Sequence, residues 1–284
     1  MSDPANPLAC PVRGCGLPLA AGEQRFACAA GHGFDRARSG YVNLLQPQDR
    51  RSKTPGDRLE STAARERLLG AGVGAAMFAG VLERATAIAQ AAASTPASVL
   101  EVGAGHGALT STLAQALGAR GWCAGIDLSV EAVERAAKRR SLALFIVANA
   151  DRRLPVRDGA LDLLISIAGP KAPEEFARVL APGGVLLLGV PAPDDLVELR
   201  AAVQGEGRLE DRGAAARALF EGRFDFERSE RHAERHRLDR AAIGDLLSAS
   251  YRGARHSAGE RVDALEHLDI TVALDLLEFR RRAV

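Results

Sequence analysis

Two hydrophobic rhythms alternate along the middle of this chain. Short unbroken apolar runs are separated by segments whose apolar positions recur every three or four residues. An unbroken run bounded by turn residues reads as a strand buried on both faces, and the longer period reads as a helix packed against it. Val99–Val102, Trp122–Asp127, Leu144–Val147, the run ending at Ser166, and Val185–Val190 predict five strands. Leu109, Leu113 and Leu117 mark one face of the helix after the first strand. Ser129 is placed to cap a helix over Val130–Arg140, whose closing cations Lys138, Arg139 and Arg140 suit the helix dipole. Glu174–Leu180 predicts a helix closed by Ala181-Pro182-Gly183-Gly184. Strands alternating with helices give an α/β fold, with parallel strands covered by helices on both faces.

The flanks follow other rules. Asp57 to about Gln90 reads as helix, broken at Gly70–Gly74. Past Pro191 the pattern fades. Leu196–Val203 is expected to be helical, and Arg217–Phe226 leads into a charged stretch. There Arg228, Arg231, His232, Arg235, His236 and Arg237 interleave with Glu227, Glu230 and Glu234, as in a solvated sheet-edge strand. A helix from Leu238 to Ser248 and a last strand over Leu268–Phe279 complete the expectation. The chain divides into an N-terminal module (1–45), a linker and helical segment (46–92) and the α/β domain (93–284).

Composition narrows the picture. The chain has 284 residues, enough for a full doubly wound sheet plus an accessory module. Hydrophobic residues make up 47% and aromatics only 4%, so Ala, Leu and Val must fill the core. A formal net charge of +1 means that any basic surface for nucleic acid is local rather than global. No apolar run approaches the length of a membrane span, and Met1–Pro7 lacks the apolar core of a signal peptide. The expected location is therefore the cytoplasm, where cysteines serve as metal ligands or free thiols more often than as disulfides.

Three of the four cysteines, Cys10, Cys15 and Cys28, precede His32 in the spacing C-x4-C-x12-C-x3-H, among turn glycines. Four N/S ligands in two close pairs suit a tetrahedral structural zinc that would staple a segment with little core. The competing reading is a glycine-rich tail with incidental cysteines. The chemistry of the α/β domain centres on Val99-Leu100-Glu101-Val102-Gly103-Ala104-Gly105-His106-Gly107, a strand, a glycine loop and a helix start. Glycines let the backbone turn sharply and let a ligand approach, and the helix start offers free N–H groups. The spacing is not the dinucleotide G-x-G-x-x-G. Asp127 ends the next strand, where an acid can bind a ribose hydroxyl pair.

The run E-V-G-A-G-x-G followed by G-I-D-L-S resembles the Rossmann-like, class I S-adenosylmethionine-dependent methyltransferases; other Rossmann-like nucleotide domains are the alternative. The resemblance implies that Glu101, Gly103, Ala104, Gly105, His106 and Gly107 pack on the methionine end and ribose. Asp127 with Leu128 would take the ribose hydroxyls. Asn149 and Ala150 would lie near the adenine, with Asp151 the second choice to Asn149. Ser166 to Pro170 would border the methyl group and the acceptor.

A longer motif run, C…C…C-x-x-G-H-x-F-D-x-A-x-x-G-Y-V-N-L-L over 10–45, then R-R-S-x-x-P-G-D and A-R-x-x-L-L, is similar to the bacterial 23S rRNA guanine-N1 methyltransferases. That family pairs an N-terminal zinc module with a methyltransferase domain, and one branch confers macrolide resistance. The resemblance carries zinc ligation onto Cys10, Cys15, Cys28 and His32. It implies S-adenosylmethionine and zinc as cofactors, 23S rRNA as partner and a homodimer. Arg50, Arg51 and Lys53 are candidate phosphate contacts or a solvated linker.

The chain departs from the family in three places. The first cysteine pair has two extra intervening residues. Val73-Gly74 stands where the family has His-Tyr. Ala249–His256 lacks the family's Met, Pro and Trp, although Tyr251 could stack on a base and Arg252 or Arg255 could meet phosphate. The last two departures keep a methyltransferase redirected to a small molecule or another RNA site as an alternative; a zinc-stabilised RNA-binding protein without turnover is a further reading, against which the intact glycine loop and Asp127 argue. No residue in the sequence stands out as a catalytic base.

Overall fold

A computed structural model of the chain describes residues 6–49, 59–204, 209–250 and 265–283. The N-terminal stretch forms three short antiparallel strands, β1 (Ala20–Ala21), β2 (Arg25–Ala27) and β3 (Gly33–Asp35), followed by β4 (Val42–Asn43). Helices α1 (Leu59–Gly70) and α2 (Ala75–Gln90) come next, bent by 92° at the break. Gly72 and Gly74 make that corner at φ values of 88° and 87°, which glycine adopts without Cβ strain. The first α/β units are β5 (Ala97–Val102), α3 (Ala108–Leu117), β6 (Gly121–Asp127), α4 (Val130–Ala137) and β7 (Leu144–Val147). Then come β8 (Leu161–Ile167), α5 (Pro173–Val179), β9 (Leu180–Pro191), α6 (Val197–Gln204) and α7 (Arg212–Phe220). The chain closes with β10 (Phe224–Asp239), α8 (Arg240–Ser250) and β11 (His267–Arg281).

Eight strands form one sheet in the order β10-β11-β9-β8-β5-β6-β7-β4. Neighbours from β4 to β9 run parallel, whereas β11 is antiparallel to both β9 and β10. The sheet is thus mixed rather than wholly parallel. The chain moves outward from β5 through β6 to β7, then returns to β8 on the other side of β5. That reversal opens a crevice at the carboxyl ends of the central strands, where α/β sheets bind ligands.

Side chains alternate between two cores. Leu100, Leu164 and Leu186 face Phe176 of α5 and Phe220 of α7. Val99, Leu163 and Leu187 face Val81 of α2 and Leu113 of α3. Five phenylalanines compensate for the scarcity of aromatics: Phe220 lies 6.1 Å from Phe176, 5.4 Å from Phe224 and 5.3 Å from Phe279, and Phe226 joins at 5.6 Å from Phe279. A third core, with Leu68, Leu199, Ile243, Leu246 and Ile270, joins α1, α6 and α8 over the open end of the sheet.

The N-terminal strands are built into this body. Leu8, Leu19 and Phe26 share the core of Leu154, Val156 and Phe176, and Ala9 N–H donates to Pro155 O at 2.9 Å. β4 pairs in parallel with β7 as the last strand of the main sheet.

Three element boundaries differ from expectation. α4 stops at Ala137, and Arg140 adopts φ 51°. β9 begins at Leu180, ahead of its proline-glycine turn. α7 was not anticipated, because its alanine-rich sequence has weak periodicity. Asp211 caps it by accepting from Ala214 N–H at 2.8 Å. The charged stretch forms β10 at the sheet edge, as expected. Arg50, Arg51 and Lys53, and the segment with Tyr251, Arg252 and Arg255, lie outside the described residues. No helix among the described residues is long and apolar enough to cross a membrane by itself.

Candidate cofactor cleft and zinc centre

At the carboxyl ends of β5, β6, β7 and β8 lies a cleft of about 1260 Å³, floored by the glycine loop and roofed by α1, α6 and α8. It is larger than the roughly 300–1,000 Å³ of an ordinary small-molecule pocket, leaving room for a cofactor and part of an acceptor.

The floor is tightly fixed. Gly103 and Ala104 both donate N–H to Ile126 O, at 2.8 and 3.0 Å. Gly103, Gly105 and Gly107 have φ values of 76°, 53° and 74°. An added Cβ at Gly105 would meet nothing within 4 Å, so that side of the loop is open to a ligand. Asp127 accepts from Gly105 N–H and from Ser129 N–H, each at 2.9 Å, which fixes the carboxylate on the cleft wall. Glu101 is buried and accepts from Thr110 N–H at 3.1 Å and from the Thr110 hydroxyl. Burial pushes its carboxyl up to about 7 against those hydrogen bonds, with Asp127 adding repulsion.

His106 lines the cleft beside this floor. Burial, with Arg139 nearby, lowers its imidazole to about 4, so it is neutral at pH 7. Its Nε2 is buried without a hydrogen-bond partner among the described residues, as a ligand-facing group would be. The His106 carbonyl accepts from Arg139 at 2.8 Å, and Glu66 of α1 binds Arg135 of α4 and Arg139 just past its end, each at 2.6 Å.

Other expected site residues have different surroundings. Leu128 and Ala150 line the cleft. Asn149 lines it too, but its amide donates to Asp49 O at 2.9 Å and accepts from Asp151 N–H at 3.0 Å. Its polar atoms therefore hold the chain ahead of α1 against β7. Ser166 is fully buried, and its hydroxyl donates to Pro170 O at 2.8 Å. It shapes the Ile167–Pro170 loop, which does line the cleft. Gly107 likewise serves packing, since a Cβ there would sit 2.6 Å from Phe145 and from Ala136.

Sequence reasoning missed the far wall. Asp195, Arg200 and Arg212 also line the cleft, with Met77 and Phe78 of α2. The turn Pro191-Ala192-Pro193-Asp194-Asp195 after the fifth strand was the only sequence signal available. The open loop at Gly105, the fixed Asp127 carboxylate and the orphaned His106 nitrogen suit an S-adenosyl ligand.

The N-terminal ligands also come together. The donor atoms of Cys10, Cys15, Cys28 and His32 all lie within 4.8 Å of one another. Cys15 Sγ is 3.8 Å from Cys28 Sγ, and His32 Nδ1 is 3.5 Å from both Cys10 Sγ and Cys28 Sγ. A tetrahedral zinc with Zn–S near 2.3 Å and Zn–N near 2.0–2.1 Å has S···S edges of about 3.8 Å and S···N edges of about 3.6 Å. The two extra residues between the first two cysteines leave the ligand set intact.

Fold and centres together define a class I S-adenosylmethionine-dependent methyltransferase that carries a structural zinc ribbon. Residues 8–53 match the family model described as RlmA, N-terminal, and residues 99–184 match a methyltransferase-domain model. The chain belongs to the 23S rRNA (guanine-N1)-methyltransferase family. It is 36% identical to the 23S rRNA (guanine(748)-N(1))-methyltransferase of Streptomyces fradiae, over 85% of this chain and 83% of that one. A Micromonospora griseorubida protein, provisionally named for 23S rRNA guanine-N1 methylation, is 36% identical over 96% of this chain and 97% of its own. Among solved structures, the YcgJ protein from Bacillus subtilis shares the fold, with a TM-score of 0.51 and 17% identity over 72% of this chain and 98% of that one.

Proposed function

We propose that this protein transfers a methyl group from S-adenosylmethionine to N1 of a guanine in 23S rRNA. The observation that carries the reading is that the glycine loop and Asp127 line a cleft of about 1260 Å³ that also takes in Asp195, Arg200 and Arg212, in a chain that also holds the family's zinc ribbon. Bound S-adenosylmethionine supplies a sulfonium methyl group with its own leaving group, so positioning supplies much of the catalysis. Asp127 holds the ribose hydroxyls, Leu128 and Ala150 flank the adenine, and the 103–107 loop with Glu101 and His106 backs the methionine end. Cys10, Cys15, Cys28 and His32 hold the zinc, which keeps the ribbon folded and has no open position for chemistry. The division into 1–45, 46–92 and 93–284 follows as ribbon, linker with entry helices, and transferase. The target base must leave its stack to reach the cleft. Such an enzyme works in the cytoplasm, with its rRNA.

The test is methyl transfer from labelled S-adenosylmethionine to unmodified 23S rRNA, with nucleoside digestion and site mapping. N1-methylguanosine at one site is the expected product. No incorporation into RNA by protein that binds the cofactor would reject the reading in favour of a small-molecule acceptor. Sedimentation of the same preparation tests the homodimer.

A further inference from the structure

Methylation at guanine N1 requires a group to accept the N1 proton. We propose that Asp195 is that general base, resting on the guanine-N1 reading above. Asp195 follows β9 and stands on the acceptor wall of the cleft, beyond the carboxyl ends of the strands. The residue is held through its side chain and through its backbone. Ala273 N–H of β11 donates to its Oδ1 at 2.9 Å, and its own N–H donates to Ala192 O at 3.0 Å. Arg200 of α6 donates to the backbone carbonyls of Asp195 and Pro193 and so locks the turn.

The backbone here is strained. Leu196, the next residue, has φ 53°, and Ala168 in the loop after β8 has φ 48°. Two of the three non-glycine residues with positive φ among the described residues thus line this end of the cleft. Such strain persists where surrounding contacts enforce a geometry, and it concentrates at functional sites.

Among the described residues, four other acids line the cleft: Asp151 sits just after β7 beside Asn149, Glu210 is paired with Arg212 at 3.4 Å, and Glu101 and Asp127 are held by the glycine-loop region. Glu101 is bonded to Thr110 beneath the glycine loop, and Asp127 is bonded to the Gly105 and Ser129 amides at the cofactor end. Asp195 is the acid held at the acceptor end by the β9–β11 pairing. Burial raises its carboxyl to about 6, opposed by the Ala273 hydrogen bond, Arg200 and Arg212, and reinforced by Asp194. Asp194 is in turn paired with Arg231 of β10. A carboxylate near 6 is still ionised at neutral pH and is a stronger base than an ordinary aspartate.

The balance is simple. The guanine N1 electron pair forms the new N–C bond to the methyl carbon. The carbon–sulfur bond breaks with its pair going to sulfur, which leaves S-adenosylhomocysteine. The N1 proton passes to the Asp195 carboxylate and is later lost to water.

The experiment compares wild type with Asp195→Asn and Asp195→Glu. Single-turnover methylation of unmodified 23S rRNA is followed from pH 5 to 9, with calorimetric cofactor affinity and melting temperature measured alongside. Asparagine keeps the shape and can still accept from Ala273. The expected result for Asp195→Asn is unchanged melting and cofactor affinity with a rate lowered roughly 100-fold or more. The wild-type rate rises through about pH 6 and that limb disappears in the variant, while Asp195→Glu restores part of the rate. A variant within threefold of wild type, or one that keeps the same pH limb, overturns the inference. So does an Asp195→Asn protein that loses folding or cofactor affinity with its rate while Asp195→Glu fares no better, because the residue is then structural. A wild type that makes no N1-methylguanosine overturns the functional reading and this inference with it. An active wild type with an unaffected variant overturns the inference alone.

Discussion

Gly105 and Gly107 stand two residues apart in one loop and have opposite surroundings. A methyl group at Gly107 would press within 2.6 Å of Phe145 and Ala136 at φ 74°, whereas one at Gly105 would meet open space at φ 53°. Gly107→Ala is expected to lose roughly 2–4 kcal/mol of stability from overpacking plus backbone strain. Gly105→Ala is expected to lose only about 1–2 kcal/mol, yet to weaken cofactor binding strongly. Denaturant melts and calorimetry on both variants separate the two effects, and equal destabilisation would sink the distinction. Glu101 gives a pH signature. Its folded value of about 7 lies above the ordinary 4.5, so the folded state holds the proton more tightly than the unfolded chain. Its contribution is complete below 4.5 and is lost as pH rises to about 7, on the order of 3 kcal/mol in total. Wild-type stability measured against Glu101→Gln should fall across that window, and a flat difference would show that Glu101 titrates normally. These residues were legible because strand, loop and helix lie within nine consecutive positions. Asp195 was not, because its partner Ala273 lies 78 residues away and meets it only when β11 settles beside β9. The burial of Ser166 and its bond to Pro170 were not legible either, because sequence gives a strand's end but not which face a hydroxyl takes.

Among the elements, those with a strong period were legible and those placed by tertiary contacts were not. The parallel strands announced themselves as apolar runs. α7 has a weak pattern and owes its position to Phe220, at the centre of the phenylalanine cluster. β4 has only two residues and becomes a strand by pairing with β7. The helix break at Gly70–Gly74 was visible in the glycines, but its consequence was not. The 92° turn swings α1 across the cleft, where Glu66 reaches Arg135 of α4 and Arg139 just beyond that helix. Arg139 also holds the His106 carbonyl, so the ion pairs join the roof of the cleft to its floor. All three side chains are about a third or more exposed, so solvent screening limits the clasp to about 1 kcal/mol or less of global stability. Glu66→Gln should therefore leave the melting temperature nearly unchanged and weaken cofactor binding several-fold, more at low salt than at high salt. Calorimetry at two ionic strengths reads this directly, and a salt-independent affinity equal to wild type would remove the clasp from the binding site.

For the whole molecule the question is whether the zinc ribbon is an appendage or a structural part of the transferase. The sequence suggested a separate module, since its metal ligands and turn glycines all fall within the first 45 residues. Yet Leu8, Leu19 and Phe26 are 0%, 1% and 1% exposed, and share a core with Leu154, Val156 and Phe176 of α5. Backbone hydrogen bonds cross the junction in both directions, from Ala9 N–H to Pro155 O at 2.9 Å and from Arg157 N–H to Pro7 O at 2.8 Å. Strands of two or three residues have little regular pairing to hold them once the metal is gone, and metal-binding energy at such sites is folding energy. Loss of the ribbon would uncover part of the main core, where each large buried side chain contributes about 2–5 kcal/mol. Stripping zinc with a chelator, or replacing Cys28 with Ser, should therefore lower a single melting transition of the whole chain by several kcal/mol. The amides of Ala9 and Arg157 should lose their protection from hydrogen exchange together. Two separate transitions, with the upper one unmoved by zinc removal, would instead show a ribbon that folds apart from the transferase.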